Sequence, residues 1–301
     1  MSLRPAAATA MNFAKLHGLG NDFLVIRIDT AGDSAVPLSD LARRACDRHR
    51  GVGADGVVFY RPTSGDPDAD CSALIYNADG SKAEVSGNGI RCLAAYLHHS
   101  GGLLPPTARI RTVAGIRCCT LKDRRGCSYT YESSMGGPVT EPALVPVLLG
   151  SGAGPLIQYP LEVGDEVYPV TVLSMGNPHC ALFWPDVLAV PVDRLGPLLE
   201  RHGAFPRRTN VEFIQVLDRH NLRVRFWERG VGRTEASGTG SCAAAVAAIL
   251  CGLAASPVRV HTDGGELQVS WDPPSDVVLT GSAELICEGK LHAVVPENDC
   301  R

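Results

Sequence analysis

The sequence predicts a mixed α/β (α+β) protein built as two pseudo-symmetric halves. The chain has 301 residues, which corresponds to roughly two domains of about 150 residues each. It contains 32 Gly and 21 Pro, punctuation that favours many short strands over a helical bundle. It also contains an internal repeat. SGNGIRCLAAYL begins at Ser86 and SGTGSCAAAVAA begins at Ser237, half a chain length apart. Each copy follows a strand and a polar turn, and each opens an Ala-rich helix. That period is too long for a solenoid, whose units run about 20–50 residues. Two homologous halves related by a pseudo-twofold axis would set the two Ser-Gly-x-Gly turns facing each other across a cleft.

Along the chain, NFAKL, HGLGND and FLVIRI read as strand, Gly-rich turn and strand over residues 12–28. Ser39–His49 reads as a helix with Ser39 as N-cap and with Ala42 and Cys46 on one face. The turn Gly51–Gly56 then leads into the strand Val57–Tyr60. Ser72–Tyr76 is a strand entering the turn NADGS, and Ile90–His98 is a helix with Leu93, Ala94 and Leu97 at core spacing. Pro138–Pro155 reads as a linker. Strands follow near Glu162–Leu173, Asn210–Val216 and Leu222–Trp227, and then an apolar helix at Ser241–Leu253. The expected halves are residues 11–140 and 141–295, with the last strands able to pack back on the first half.

Composition narrows the function. The net charge of -4 leaves no basic footprint for nucleic acid, and 6% aromatic residues give few stacking platforms. The 11 cysteines are odd in number and contain no C-x-x-C, so they read mostly as small buried hydrophobes in a reducing compartment. The first ten residues lack an apolar signal core. The apolar run Cys242–Ala255 is shorter than the ~20 residues a membrane helix needs. A soluble, cytoplasmic protein without a membrane partner is expected. The only lysines, Lys15, Lys82, Lys122 and Lys290, are in no Schiff-base context, and nothing calls for a metal or organic cofactor.

The paired turns suggest a chemistry. The free N–H groups of a helix N-terminus hold an anion, and Gly allows close approach. Two such ends hold one carboxylate, and the side chains at 86 and 237 then flank one carbon. Flanking groups on opposite faces are what stereoinversion needs, one removing a proton and the other returning one.

Eight ordered blocks now carry a resemblance: KLHGLGNDF (Lys15–Phe23), RGVGADG (Arg50–Gly56), NADGS (Asn77–Ser81), GNGIRC (Gly87–Cys92), MGNPH (Met175–His179), TNVEF (Thr209–Phe213), ERGVG (Glu228–Gly232) and GTGSCAAA (Gly238–Ala245). With them the chain resembles the diaminopimelate epimerases, cofactor-independent enzymes of lysine and peptidoglycan biosynthesis, from Met11 to about Val295. The resemblance implies two barrel-like sheets, each around a central helix, with the active site in the cleft between them. It implies a diamino-dicarboxylate substrate and allows a homodimer. Asn21, Asn77, Asn177, Asn210 and Arg229 would hold the distal end of the substrate, with Glu228 suited to an ammonium. The amides of Gly87, Asn88, Gly238 and Thr239 would hold the reacting carboxylate.

The chain departs from the family at the reacting positions. The family places a cysteine before GNG and another before GTG, where this chain has Ser86 and Ser237. A thiol ionises near ~8.5 and a helix N-terminus lowers that further, whereas a hydroxyl needs an adjacent base. His17 and His179 are the candidates for that base. Cys92 and Cys242 lie within the following helices and are expected to pack. Arg233 stands where the family commonly has Glu, either charging the substrate mouth or only altering the surface. The serine pair fits an epimerase, with serines either engineered to trap a ligand or working through their hydroxyls, a related isomerase or dehydratase, or a silent diamino-acid-binding protein.

Overall fold

A computed structural model describes residues 9–28, 36–63, 65–83, 86–101, 105–149 and 154–293. The chain forms two compact units, one of residues 1–131 and 282–301 and the other of residues 132–281.

The first unit runs β1 (Thr9–Gly18), β2 (Asn21–Arg27), α1 (Leu38–Cys46), β3 (Gly56–Pro62), β4 (Cys71–Asn77), β5 (Lys82–Ala83), α2 (Gly87–His99), β6 (Thr107–Thr112), β7 (Gly115–Arg125) and β8 (Ser128–Ser134). The second runs β9 (Leu156–Val163), β10 (Glu166–Ser174), β11 (Pro178–Phe183), α3 (Val192–Glu200), β12 (Asn210–Asp218), β13 (Asn221–Glu228), β14 (Gly232–Thr234), α4 (Gly238–Leu250), β15 (Val258–Thr262), β16 (Gly265–Ser270) and the start of β17 (Val278–Ala293), whose residues from 282 on belong to the first unit. The early residues of β17 pair with β16 and its later ones with β1.

The connectivity repeats element by element. In the first unit an antiparallel β1–β2 hairpin leads through α1 to β3, parallel to β2 with Phe23 opposite Gly56. β4 returns antiparallel, with Asn77 opposite Gly56, and leads through α2 to β6, parallel to β4. In the second unit the β10–β11 hairpin leads through α3 to β12, with His179 opposite Asn210, and β13 leads through α4 to the parallel β15. The expected barrel-like sheet is present: β8, β17, β1, β2, β3, β4, β6 and β7 form a closed eight-stranded barrel.

A helix lies at the centre of each unit. Both α2 and α4 have 13 residues, nine of them buried. A helix apolar around most of its circumference must be buried around most of it, and the Ala-rich faces let strands approach closely. Ile90, Leu93 and Leu97 of α2 pack with Phe23, Val25, Val58, Ile110, Tyr129 and Tyr131. α4 packs against β10, β11, β12, β13, β15 and β16.

Several elements differ from their sequence reading. The central helices begin at Gly87 and Gly238 rather than Ile90 and Ser241, because Ser86 and Ser237 cap them. α1 begins at Leu38 after Pro37 rather than after Ser39, and no side chain caps it. α3 carries Pro197 inside only nine residues, which hid it from a periodicity reading. Its place in the repeat is that of α1. Within Pro138–Pro155, Val139 bridges Ser174 and Val145 is buried. Among the described cysteines, Cys46, Cys71, Cys92, Cys119, Cys180 and Cys242 are buried as expected, while Cys118, Cys127 and Cys287 are exposed; Cys300 is outside the described residues. Among the described residues, no helix is long and apolar enough to cross a membrane.

Leu93 is fully buried in α2. Leu93→Ala is expected to lower unfolding free energy by about 2–5 kcal/mol, read from urea denaturation.

Candidate active site

Each Ser-Gly-x-Gly turn builds the same local structure. Ser86 has φ -135° and ψ 117°, and its Oγ accepts the Gly89 N–H at 3.1 Å. Ser237 has φ -136° and ψ 126°, and its Oγ accepts the Gly240 N–H at 3.2 Å. Both are N-caps of the preferred residue type. The glycines are required by packing. A Cβ on Gly89 would lie 3.3 Å from both Phe23 and Val58, and one on Gly240 would lie 2.9 Å from Phe226. The unpaired first-turn amides of Gly87, Asn88, Gly238 and Thr239 lie at helix N-termini, where anions are favoured.

The second unit sets a carboxylate against its cap serine. The Ser237 hydroxyl, 5% exposed, donates to Glu228 Oε2 at 3.1 Å. The other carboxylate oxygen, Oε1, accepts from Thr234 Oγ1 at 2.7 Å. The sequence alone assigns Glu228 to an ammonium and offers histidines as the base. The signal for the Ser237–Glu228 contact is the short ERGVGRTEAS spacing, which folds β13, β14 and the cap into one tight turn. His17 instead accepts the Gly20 N–H at 3.3 Å and lies 4.0 Å from Glu284. His179, fully buried, bridges Asn177 Oδ1 at 2.8 Å and Glu212 Oε1 at 2.7 Å. Burial pushes the Glu212 carboxyl up, even with the opposing charge and hydrogen bond of His179.

The remaining predicted residues fall into two groups. Asn21 and Asn88 are brought together: Asn88 Nδ2 donates to Asn21 Oδ1 at 3.2 Å. Asn210 is a clamp, with Oδ1 accepting the Arg229 N–H at 2.9 Å and Nδ2 donating to Pro178 O at 2.9 Å. Asn77 closes its own turn, donating to Ser81 Oγ at 2.9 Å. Arg229 is exposed, with Nη1 3.3 Å from Arg207 O. Glu200 is buried and pins the turn carrying Glu228 and Arg229. It accepts from Trp227 Nε1 at 2.8 Å and from the Gly230 N–H at 3.0 Å. Burial would raise its carboxyl, but these bonds hold it below the usual range.

The register shows how the halves differ. Asn77 and Glu228 are the last residues of β4 and β13, the matching strands ahead of the two caps. The Ser237 half therefore has a carboxylate where the Ser86 half has an amide. Cys92 and Cys242 are fully buried, and burial pushes the Cys92 thiol up to about 12. Arg233 pairs with Asp263 at 3.2 Å and Asp193 at 4.0 Å. With Asp193, Arg194 and Arg225 it lines a cavity of about 270 Å³.

Near Asn21, Asp22 carries a second electrostatic feature. Its burial raises its carboxyl, but the Lys15 ammonium at 2.9 Å and the Asp55 backbone N–H outweigh that and hold it low. A depressed carboxyl contributes stability present above its unfolded value and lost as pH falls through its folded one. Melting temperature should therefore fall as pH drops below about 4, and Lys15→Met should flatten that fall.

The comparisons with known proteins agree with one another. A family model described as diaminopimelate epimerase matches residues 13–140 and 171–286. A diaminopimelate epimerase of Pelotomaculum thermopropionicum is 44% identical over 280 residues, covering 93% of this chain and 98% of that protein. Diaminopimelate epimerase 1 of a Nostoc species is 44% identical over 285 residues, covering 94% and 100%. Among solved structures, a predicted epimerase from Pseudomonas aeruginosa superposes with TM-score 0.67 at 18% identity, covering 94% of this chain and 100% of that one. A probable proline racemase from Agrobacterium radiobacter superposes with TM-score 0.67 at 16% identity, covering 96% and 94%.

Proposed function

The chain belongs to the diaminopimelate epimerase family, and from that premise we propose that it interconverts LL- and meso-diaminopimelate through hydroxyls where its relatives use thiols. The observation that carries this reading is the hydrogen bond from Ser237 Oγ to Glu228 Oε2. Ser237 Oγ takes the α-proton as its own proton passes to Glu228, so the hydroxyl never has to ionise on its own. The electron pair left on the α-carbon spreads into the substrate carboxylate. The first-turn amides of Gly87, Asn88, Gly238 and Thr239 stabilise that charge. Ser86 gives its proton to the other face and recovers one from solvent, while Glu228 releases its proton to solvent.

Asn21, Asn77, Asn177, Asn210 and Arg229 recognise the distal amino-acid end in this reading. Asparagines supply both donors and acceptors to a zwitterion, and Arg229 supplies a planar fork to a carboxylate. The reaction needs no organic cofactor and no metal, because the protein supplies both proton carriers. The protein acts in the cytoplasm, in lysine biosynthesis, alone or as a homodimer. A silent binding protein is the second reading. It is favoured by the caps themselves, since both serine oxygens already accept a backbone N–H.

In deuterated water the unmodified chain should wash deuterium into LL-diaminopimelate at the α-carbon and form the meso isomer. Ser86→Cys with Ser237→Cys should raise that rate at least about 100-fold. Glu228→Gln in the unmodified chain should lower it by about 100-fold or more. Tight binding with no wash-in would select the silent binder, and no binding would remove the reading altogether.

A further inference from the structure

The block RGVGADG has no role in the proton transfer, yet its Asp55 is the most connected group behind the N-terminal recognition residues. Asp55 and Asp22 exchange hydrogen bonds at the mouth of the parallel β2–β3 pair. The Asp55 N–H donates to Asp22 Oδ1 at 2.9 Å, and the Asp22 N–H donates to Asp55 Oδ2 at 3.0 Å. Two carboxylates this close need cations. Lys15 lies 2.9 Å from Asp22 Oδ2, and Arg48 lies 2.8 Å from Asp55 Oδ1 and 3.5 Å from Asp22 Oδ1.

The same Asp55 Oδ2 also accepts from Asn21 Nδ2 at 3.0 Å. A carboxylate can only accept, so it fixes which end of the Asn21 amide is nitrogen. Asn21 Oδ1 must then point the other way, where it accepts from Asn88 Nδ2. Asn88 Oδ1 in turn accepts from Arg91 Nη2. This hydrogen-bond chain is fixed at both ends, Asp55 setting the Asn21 amide and Arg91 the Asn88 amide, with one N–H of each left over. The Asp55 carbonyl adds a separate contact, accepting the Ala78 N–H at 3.0 Å and tethering the turn that begins at Asn77.

We propose that Asp55 is a positioning residue for ligand recognition, setting the amide polarity of Asn21 so that its Oδ1 meets Asn88 Nδ2 and each asparagine keeps an N–H donor for a carboxylate. This rests on the reading that these asparagines touch the substrate. Asp55→Asn removes the fixed acceptor at nearly unchanged size. It should weaken LL-diaminopimelate binding by calorimetry about tenfold or more, and should move the side-chain amide signals of Asn21 and Asn88 in ¹⁵N spectra of the ligand-free protein. Asp55→Asn should cost no further affinity once Asn21→Ala is present, because it acts through Asn21. Asp70→Asn breaks a different ion pair of this unit, with Arg109 at 2.9 Å, and should leave affinity unchanged. An unchanged affinity in Asp55→Asn, or a loss that adds to that of Asn21→Ala, overturns the proposal. Absence of binding by the unmodified chain removes the substrate reading. The ligand-free amide signals then decide alone, and signals unmoved by Asp55→Asn overturn the proposal.

Discussion

Both halves depend on one constraint: a buried helix must begin without leaving its first N–H groups to an apolar interior. The strands packed around α2 and α4 exclude water from most of each helix, so a capping group has to be supplied by the chain. Ser86 and Ser237 meet this by accepting the N–H three residues on. Their extended backbone then turns the chain into the helix, with Gly at the third helical position to clear the packed rings. The remaining first-turn amides lie at these helix N-termini, where an anion is favoured. In the proposed reading the cap and the carboxylate-binding end are one piece of structure.

That arrangement also sets the limits on the chemistry. A cysteine at the cap position would be both acid and base, with an ionisation near neutrality. A serine there is a good cap and a poor base, and needs a partner. Only the C-terminal half places a carboxylate at the matching strand end, Glu228 against Asn77. The repeat is therefore symmetric in backbone and asymmetric in proton chemistry. Thr234 and Ser237 each take one oxygen of Glu228, which leaves that carboxylate oriented by its own half.

Much of the fold was legible because the repeat places the same strand–turn–helix twice and the two turns contain Gly at the same spacing. α3 was not legible from periodicity, since nine residues with an internal proline carry little pattern. The repeat itself implied it, as the partner of α1. The two cap turns were legible as helix starts. The contact between Ser237 and Glu228 was not, because a hydrogen bond between residues nine apart depends on how β13 and β14 fold back. Asn210 shows the same limit: the sequence did not show that each end of its amide also holds a backbone group.

The central claim is that hydroxyls and Glu228, not one of the chain's own thiols, carry the α-proton. The most direct test is deuterium wash-in to LL-diaminopimelate before and after exhaustive alkylation with iodoacetamide. Cys118, Cys127 and Cys287 are exposed to the reagent. The account predicts wash-in that survives alkylation unchanged. Wash-in abolished by alkylation, or absent in the untreated protein, would contradict it.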